Sequence, residues 1–328
     1  MSIKSILVTG GTGLIGSNIS RMLVEQGRDV IVYDVSTPSE RHVLTNVMDR
    51  LKVEIGNVTD LSNLLRIIKK QGVEGIIHCA AILGTPANQR PIEALQANII
   101  GAANMLEAAR IADLRRVVII SSSAVMGAPD DLLTPRKEEE ICLPLVGIYP
   151  LSKLASEQLV CTYRQLYKVD TVAIRPRSVY GPGLTRQYHP IVALVESAVS
   201  GMPIHYETGG DTAFDLTYVK DFAKGTIQAY DSQSLNSYVY NISFGKNRTM
   251  FQVCEVLKQL FPELPIKIGP GLWNGILTKG EQTDPTYRMS HRPPQDITRA
   301  RNEFNFEPEW DLDRAIRDWV RWIQTGKY

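Results

Sequence analysis

The sequence predicts an α/β fold built on a parallel, doubly wound β-sheet, and three observations support that prediction. In the first half of the chain, short apolar runs alternate with segments of helical periodicity, which is the pattern of strands joined by right-handed helical crossovers. The apolar runs are rich in β-branched residues and show no polar alternation, as expected for strands covered on both faces. A glycine-rich turn separates the first strand from the first helix.

Strands and helices alternate regularly in the amino-terminal part of the chain. The predicted strands are SILVTG (5–10), DVIVYD (29–34), LKVEI (51–55), GIIHCAA (75–81), RRVVIISSS (115–123) and DTVAIRP (170–176). The predicted helices cover 14–26, 60–71, 91–111 and 149–168. In the second helix, leucine and isoleucine residues mark one face, and Asp60 is the predicted N-cap.

Beyond residue 178 the alternation becomes irregular. Gly and Pro concentrate in 180–190 and 261–280, which predicts loops of the kind that often carry ligand contacts. Further elements are predicted over 214–230 (a strand and a helix), 237–242 (a strand), 249–260 and 311–324 (helices). We therefore divide the chain into a sheet domain over 1–177, to which the chain returns at 214–244, and a smaller, interleaved α/β domain over 178–328 that binds the substrate.

The overall composition excludes several classes of function. With a formal net charge of +1, the chain has no bulk charge that would favour nucleic acid or an anionic membrane. No stretch approaches the roughly 20 apolar residues that a membrane helix needs, and the amino terminus enters a strand without the layout of a signal peptide. We therefore expect a small-molecule substrate, with no nucleic-acid or membrane partner.

The cysteines and histidines predict no metal site. Cys79, Cys142, Cys161 and Cys254 are scattered without Cys-x-x-Cys spacing, and the five histidines form no cluster of ligands. This distribution predicts buried free thiols in a cytoplasmic protein. His78 and Cys79 lie in the middle of an apolar strand and are interpreted as core residues.

The segment VTGGTGLIGSN places Gly10, Gly13 and Gly16 between the first strand and the first helix. Gly10 permits the tight turn, Gly13 lets the backbone approach a pyrophosphate, and Gly16 allows close packing of helix and strand. The amide groups and the positive end of the helix then face the phosphates. This arrangement predicts a dinucleotide-binding Rossmann domain.

Asp34 ends the second strand about 20 residues after the glycines, where such domains carry an acidic residue. Its carboxylate accepts hydrogen bonds from the ribose hydroxyls of adenosine and repels a 2′-phosphate. The sequence therefore predicts NAD rather than NADP as the cofactor. Arg41, seven residues on, is interpreted as a solvated loop charge.

The glycine spacing, G-x-x-G-x-x-G, resembles that of the short-chain dehydrogenase/reductase superfamily. Segments along the whole chain, in the expected order, resemble its extended branch, the NAD-dependent epimerase/dehydratase family. They are GNVTD (56–60), IIHCAA (76–81), NIIGAANMLEAAR (98–110), ISSSAVMG (120–127), YPLSK (149–153), IRPRSVYGPG (174–183) and LTYVKDFAKG (216–225).

The resemblance implies a set of cofactor contacts at the ends of the strands. They are Gly10, Thr12, Gly13, Leu14, Ile15, Gly16, Asp34, Asn57, Val58, Ala80, Ala81, Asn98, Tyr149, Lys153 and Arg175. Asn57 stands where the family often has an Asp that contacts adenine, and its amide oxygen can still accept from the adenine amino group. Asn98 stands where the family has an Asn close to the active site. It can equally cap the helix that it opens.

The resemblance also identifies Tyr149 and Lys153, one helical turn apart, as the family's catalytic pair. A phenol with a pKa near 10 is a poor base at neutral pH, and an ammonium group beside it stabilises the phenolate. In the family the lysine also holds the nicotinamide ribose.

The third member of the family's catalytic group is a strand-end Ser or Thr that bonds the reacting oxygen. It lies four residues before a position that is usually aromatic and is Met126 here, which assigns the role to Ser122. Ser121 and Ser123 are the neighbours with which Ser122 could be confused.

The reaction type is only partly restricted by the sequence. Dehydratases of the family follow the strand-end Thr with Asp-Glu, whereas this chain has Ser123 and Ala124. A dehydratase is disfavoured because alanine cannot carry a proton. Dehydrogenation and epimerisation need only the catalytic group and NAD, so both remain open.

Two departures concern the substrate. Nucleotide-sugar enzymes of the family usually have Asn where this chain has Ser178, and a diphosphate-binding Arg where it has Phe214. Another cation could compensate for the missing arginine, and the candidates are Arg177, Arg186, Lys220 and Arg288. Nearer the carboxyl end, the segment HRPPQD (291–296) keeps an arginine of the family, Arg292. The loops over 82–90 and 181–189 are predicted to line the pocket. The predicted substrate contacts are Thr85, Ser123, Ser178, Arg186 and Phe214, with His189 as a further candidate.

We therefore predict an NAD-dependent oxidoreductase that transfers a hydride at a secondary alcohol of a sugar-like or hydroxy-acid substrate. The alternative is a nucleotide-sugar 4-epimerase that retains NAD. A non-catalytic NAD-binding sensor is disfavoured, because such relatives tend to lose the tyrosine or the lysine. Helices 91–111 and 149–168 resemble those through which relatives pair as dimers, so a homodimer is expected. The apolar positions Ile99, Ala102, Ala103 and Leu106 fit equally well against the chain's own sheet.

Overall fold

A computed structural model describes residues 4–38, 42–127, 133–184, 189–273 and 292–328. Its central feature is a seven-stranded parallel sheet with helices on both faces. The predicted Rossmann fold is confirmed. No helix in these ranges is long and apolar enough to cross a membrane.

The elements are numbered in chain order. The first are β1 (Ser5–Thr9), α1 (Leu14–Glu25), β2 (Asp29–Asp34), a 3₁₀ turn (Thr45–Arg50), β3 (Lys52–Ile55), α2 (Leu61–Gln71), β4 (Val73–His78), α3 (Gly84–Gln89), α4 (Pro91–Leu95), a π-helical turn (Gln96–Ile100), α5 (Gly101–Ala112), β5 (Arg116–Ile120), a second 3₁₀ turn (Ser123–Met126), α6 (Ile148–Tyr167) and β6 (Thr171–Pro176). They are followed by β7 (Val179–Tyr180), α7 (Pro190–Val199), β8 (Ile204–Tyr206), β9 (Ala213–Phe214), β10 (Thr217–Tyr218), α8 (Val219–Asp231), β11 (Val239–Ile242), β12 (Arg248–Thr249), α9 (Met250–Leu260), β13 (Ile266–Ile268), α10 (Thr298–Phe304) and α11 (Leu312–Thr325).

The strand order of the large sheet is β11-β6-β5-β4-β1-β2-β3, and every neighbouring pair is parallel. The order reverses between β1 and β4, so the connections that leave these two strands run in opposite directions. A crevice opens at such a point, at the carboxyl ends of the strands, and this is where α/β proteins bind ligands. The glycine loop follows β1, and residues 79–81 follow β4.

The sheet separates two hydrophobic layers. Ile6 and Val8 of β1 point into a layer that includes helix α1 residues and Phe222 of α8. Leu7, between them, points into the opposite layer, formed with α2, α5 and α6. A strand buried on both faces needs apolar residues at every position, which accounts for the missing alternation in the sequence.

A third hydrophobic cluster lies under the second half of the chain, where α7, α9 and α11 pack together. Tyr180 is its aromatic centre, with its ring 5.4 Å from Tyr218 and 5.8 Å from Trp319 in edge-on geometry. Three two-stranded sheets pair β10 with β7, β12 with β9 and β13 with β8. Strand β11 nevertheless belongs to the large sheet, where it pairs with β6.

Two predicted strands end earlier than the sequence suggested. The strand predicted over 75–81 ends at His78, and the strand predicted over 115–123 ends at Ile120. In each case the following residues leave the sheet at the crevice. The N-cap prediction for α2 is confirmed, since the Asp60 carboxylate accepts a hydrogen bond of 2.9 Å from the Asn63 amide.

The segment 82–90 was predicted as a loop, and that prediction is wrong in part because it contains α3. Helix α7 was missed as well. Both helices begin close to Gly or Pro, which were interpreted as loop signals. Pro is equally suited to the first turn of a helix, so these residues did not exclude one. The predicted helix 91–111 is present but contains a π-helical turn at 96–100, a feature that often marks a functional site.

Candidate active site

The glycine loop is built so closely that side chains do not fit. A Cβ on Gly10 would lie 2.5 Å from the Ala80 amide nitrogen, and one on Gly16 would lie 2.2 Å from the Gly10 oxygen. Gly10 also has a positive φ of 63°. Gly13 is the N-cap of α1, and the amides of the first helical turn, including Leu14 and Ile15, have no acceptor within the helix. This turn can therefore receive an anionic group.

Asp34 closes the loop from the end of β2. One carboxylate oxygen accepts from the Thr12 amide (3.0 Å) and the Thr12 hydroxyl (2.7 Å), and the other accepts from the Val35 amide (2.7 Å). The His42 ring nitrogen Nε2 lies 2.7 Å from the Thr12 carbonyl oxygen. The acidic residue and the glycine loop are thus held as one unit. Three features of this unit fit NAD: glycines that let the backbone approach the cofactor, unbonded amides in the first turn of α1, and the Asp34 carboxylate at the predicted ribose position.

The adenine side is arranged differently from the prediction for Asn57. Its amide oxygen accepts from both the amide and the hydroxyl of Thr59, each at 3.0 Å, so it caps a local turn. Val58 is buried against Gly101, and its carbonyl accepts from Asn104. The predicted cofactor contacts of Asn57 and Val58 remain predictions.

Asn98 lies inside the π-helical turn and is fully buried, so the prediction that it caps a helix is wrong. Its amide oxygen accepts from the Ile82 amide (2.8 Å), and its nitrogen donates to the Ile82 carbonyl and to the Ser152 hydroxyl (both 2.9 Å). Asn98 thereby ties the segment after β4 to helix α6. Its predicted contact with the cofactor stays a prediction.

Helix α6 begins just before the predicted catalytic pair. Gly147 precedes it with a φ of 115°, a value that favours glycine, and the first amide, of Ile148, donates to the Asn88 side chain of α3 (3.0 Å). Tyr149 is therefore in the first turn, half-buried. Lys153 follows one turn later and is 2% exposed.

The Lys153 ammonium is anchored to the sheet. Its Nζ donates to the carbonyl of Ile120, the last residue of β5, at 2.7 Å, and lies 5.9 Å from the centre of the Tyr149 ring. Burial lowers the pKa of Lys153 to about 8, and the neighbouring Cys79 and Glu157 oppose this shift. A positive charge on Lys153 is therefore close enough to the phenol to favour its ionised form.

The three serines after β5 point in different directions. The Ser121 hydroxyl donates to the Glu157 carboxylate at 2.5 Å, inside the protein. The Ser122 hydroxyl accepts from the Ala124 amide at 3.1 Å, and Ser122 is 8% exposed at the strand end. Ser121 is thus occupied in the core, which favours Ser122 as the residue that meets a substrate. Ser123 begins the 3₁₀ turn beside it and is equally buried.

Arg175 is turned away from the crevice. Its guanidinium makes two bonds to the Glu157 carboxylate (2.8 and 2.7 Å) and a third to the Glu138 carbonyl (2.7 Å), and the side chain is 1% exposed. This placement argues against the predicted cofactor contact through the guanidinium. Glu157 was missed by the sequence analysis, although its position one turn after Lys153 on the same helix was a signal.

His78 and Cys79 are core residues, as interpreted from the sequence. His78 Nδ1 shares a 2.6 Å hydrogen bond with the Thr9 hydroxyl, and burial, with a smaller effect of Lys153, lowers the pKa of His78 to about 3. Burial raises the pKa of the Cys79 thiol to about 12. Both groups are uncharged at neutral pH.

The four cysteines are all free, and no cluster of three metal-binding side chains occurs among the described residues.

On the substrate side, Ser178 has a positive φ of 37°, a conformation that Asn adopts more readily than Ser. Phe214 packs its ring 4.6 Å from that of His189. Thr85 is exposed in the first turn of α3. The substrate roles predicted for these residues and for Ser123 remain predictions. Arg186, Arg288 and Arg41 lie outside the described residues.

The two remaining cations proposed as replacements for the missing arginine are engaged elsewhere. Lys220 forms an ion pair of 2.8 Å with Asp318. Arg177 is buried beside Asp215, where its charge opposes the rise in the pKa of Asp215 that burial causes. The structure instead brings Arg248 directly opposite Phe214, in the ladder formed by β12 and β9. The sequence contains no signal for this pairing, because each strand is only two residues long.

Comparisons with known proteins agree with this geometry. The model of the NAD dependent epimerase/dehydratase family matches residues 6–243. The UDP-glucuronate 4-epimerase of Thermodesulfobacterium geofontis is 26% identical over 98% of this chain and 96% of its own length. The putative UDP-glucose 4-epimerase of Methanocaldococcus jannaschii is 28% identical, covering 98% and 99%. The solved UDP-N-acetylglucosamine 4-epimerase of Methanobrevibacter ruminantium, in complex with UDP-N-acetylmuramic acid, superposes with a TM-score of 0.81 at 25% identity, over 100% of both chains.

The glycine loop yields a first prediction. Gly16→Ala should destabilise the protein by about 1–3 kcal/mol and weaken NAD binding at least about tenfold, because the new methyl group would overlap the Gly10 carbonyl. Gly13→Ala should leave stability nearly unchanged, since its Cβ would be 3.3 Å from that oxygen and its φ is −76°, yet it should still weaken NAD binding. Thermal unfolding and NAD titration would measure both effects. Equal stability of the two variants would contradict the prediction.

The buried ion pair yields a second prediction. Glu157→Gln should lower the free energy of unfolding by about 3–5 kcal/mol, because Arg175 would keep an uncompensated buried charge. The double replacement Glu157→Leu with Arg175→Met should cost less than the single one. Glu93→Gln, which breaks an exposed pair with Arg90, is the control and should cost less than about 1 kcal/mol. Denaturant titration gives all three values, and a single variant as stable as the control would refute the prediction.

Proposed function

Because the chain belongs to the NAD-dependent epimerase/dehydratase family, we propose that it is a nucleotide-sugar epimerase that keeps its NAD through the reaction. Membership makes it an NAD-dependent enzyme. The observation that carries the proposal is the group of Ser122, Tyr149 and Lys153 at one strand end, in a chain that matches two nucleotide-sugar 4-epimerases over nearly its whole length.

Each residue of this group has one task in the proposed reaction. NAD, when bound, accepts a hydride from the sugar carbon and can return it. Tyr149, as phenolate, takes the proton of the sugar hydroxyl and later gives it back. Lys153 supports the phenolate through its positive charge. Ser122 donates a hydrogen bond to the reacting oxygen, and the keto sugar formed in between must turn before the hydride returns to its other face.

The cofactor region of the proposal consists of the glycine loop, Asp34 and the segment after β4. In it the amides of the first turn of α1 hold the pyrophosphate, and Asp34 holds the adenosine ribose. The proposed NAD domain comprises residues 1–177 together with 214–244, and residues 178–328 otherwise form the proposed substrate domain.

Dehydration of the sugar is a poorer fit to this chain. Loss of water needs an acid and a base beside the reacting carbon, and the two residues after Ser122 are Ser123 and Ala124. Ala124 lacks any group that could carry a proton. Ser123 has an unactivated hydroxyl, so the dehydratase chemistry is disfavoured.

A dehydrogenase of a free sugar or hydroxy acid is the second candidate. Phe214 and Ser178 favour it, because they replace the arginine and asparagine that nucleotide-sugar enzymes of the family usually have. Such an enzyme would release one NADH for each substrate molecule that it oxidises. The two candidates therefore differ in what becomes of the cofactor.

A homodimer is part of the proposal. Ile92 and Ile100 on the α4–α5 segment and Leu151 and Leu166 on α6 are between 48% and 68% exposed. Large apolar side chains at these positions favour association through the two helical segments named from the sequence. By contrast, Ala102 and Leu106 are buried within the single chain.

The function is tested by a direct comparison of substrates. Purified protein should convert UDP-glucose or UDP-glucuronate into its 4-epimer, detected by NMR, without net formation of NADH. Mass spectrometry of the denatured protein should recover bound NAD. Stoichiometric NADH from an unconjugated sugar or hydroxy acid, with no epimer formed, would replace the proposal by the dehydrogenase candidate.

The catalytic group yields a further prediction. Tyr149→Phe should lower kcat by about 10² to 10⁴, the usual contribution of a positioned acid–base group, while NAD binding stays within a few-fold. Tyr167→Phe, an exposed tyrosine on the same helix, is the matched control and should keep full activity. A Tyr149→Phe variant that turns over like the control would exclude Tyr149 as the base.

A further inference from the structure

We propose that Arg248 supplies the positive charge that binds the diphosphate of the substrate, across the ladder from Phe214. This inference rests on the proposed nucleotide-sugar function. Relatives usually carry the diphosphate-binding arginine at the position of Phe214. In this chain, we assign that role to Arg248 on the neighbouring strand.

The register of the two short strands places Arg248 opposite Phe214. In the antiparallel pair, Arg248 is the direct partner of Phe214, and Thr249 is the partner of Ala213. Direct partners in an antiparallel ladder project to the same face, with Cβ atoms about 4.5–5.5 Å apart. A guanidinium carried at position 248 can therefore reach the space that one carried at position 214 would reach.

The surroundings of Phe214 contain no competing charge from its ring partner. The His189 ring lies 4.6 Å from the Phe214 ring, and burial lowers the pKa of His189 to about 4, so it is neutral at physiological pH. Phe214 and His189 together form an uncharged aromatic wall. Neither ring therefore carries a charge at this position, and the positive charge on this side of the ladder comes from Arg248.

Arg248 itself is oriented but not neutralised. Its guanidinium carbon lies 4.5 Å from the centre of the Phe244 ring, and NH1 donates a long bond of 3.3 Å to the Asn247 carbonyl. It forms no ion pair with a carboxylate of the described residues. Stacking on an aromatic ring fixes the plane of a guanidinium and leaves the N–H groups at its edge able to donate hydrogen bonds. Two of these N–H groups can bond two oxygens of a phosphate at once.

A second arginine lies beside this position. The Asn247 side chain donates a 2.9 Å hydrogen bond to the carbonyl of Arg292, so the backbone of residue 292 adjoins the turn that carries Arg248. Arg292 likewise makes no ion pair within the part of the chain that the structure describes. Arg248 and Arg292 thus bring two positive charges to the same region. By contrast, Lys220 lies beside Asp318, and Arg177 lies beside Asp215.

These contacts favour a nucleoside diphosphate over an unconjugated sugar. A diphosphate offers paired oxygens and negative charge to the guanidinium edge. A free sugar offers only hydroxyls, which gain little from a stacked arginine. The aromatic residue at 214 is therefore compatible with a nucleotide sugar as long as Arg248 is present.

The test compares variants of the NAD-loaded protein in calorimetric titrations with UDP and with uridine. Arg248→Ala should weaken UDP binding about 10- to 100-fold, the loss of charge-assisted hydrogen bonds, and leave uridine binding unchanged. Arg248→Lys should be intermediate, because it keeps the charge without the paired donors. The exposed Lys246→Ala, in the same turn, should bind UDP like the wild type.

The decisive variant moves the guanidinium across the ladder. Phe214→Arg combined with Arg248→Ala should recover most of the UDP affinity lost in Arg248→Ala. Thermal unfolding would verify that each variant is folded. If the wild type binds UDP and Arg248→Ala binds it equally well, the assignment of Arg248 is overturned while the proposed function stands. If the wild type binds neither UDP nor a UDP-sugar, the proposed function itself fails.

Discussion

The candidate active site depends on a carboxylate buried against the sheet. Glu157 receives two hydrogen bonds from Arg175 on β6 and one from Ser121 after β5. Removing two charges from water costs several kcal/mol per ion, so the pair is tolerable only with complete, short contacts. That requirement fixes the depth and rotation of helix α6. Lys153, one turn before Glu157, then meets the Ile120 carbonyl, with its Nζ 5.9 Å from the centre of the Tyr149 ring.

The same carboxylate also contributes to the electrostatics of Lys153. Burial favours the neutral amine and lowers the pKa of Lys153 to about 8, while Cys79 and Glu157 oppose this fall. A large fraction of Lys153 therefore remains charged at neutral pH. His78 and Cys79, on the neighbouring strand, stay uncharged. The ammonium is therefore the main charge that Tyr149 experiences from these neighbours, and a phenol near it can ionise closer to neutral pH.

Local patterns in the sequence predicted the fold well because its main elements are locally encoded. The glycine loop, Asp34, the strands buried on both faces and the N-cap Asp60 each depend on neighbours within a few residues or on a known spacing. The misassigned site residues involve partners far apart in the chain. The Asn98 side chain bonds residues 82 and 152, and the Arg175 guanidinium turns inward to Glu157. No periodicity or motif indicates such pairings.

Phe214 and Arg248 show why this limit matters for function. Along the chain, position 214 carries Phe where nucleotide-sugar enzymes of the family usually have a diphosphate-binding Arg. Across the ladder, Arg248 is the direct partner of Phe214, and partners in an antiparallel pair share a face, which is why we propose that Arg248 supplies the charge. Recognition of a phosphate depends on where the guanidinium edge lies and not on which strand carries it. A substrate class inferred from one motif position therefore has to be checked against the residue that the fold pairs with it.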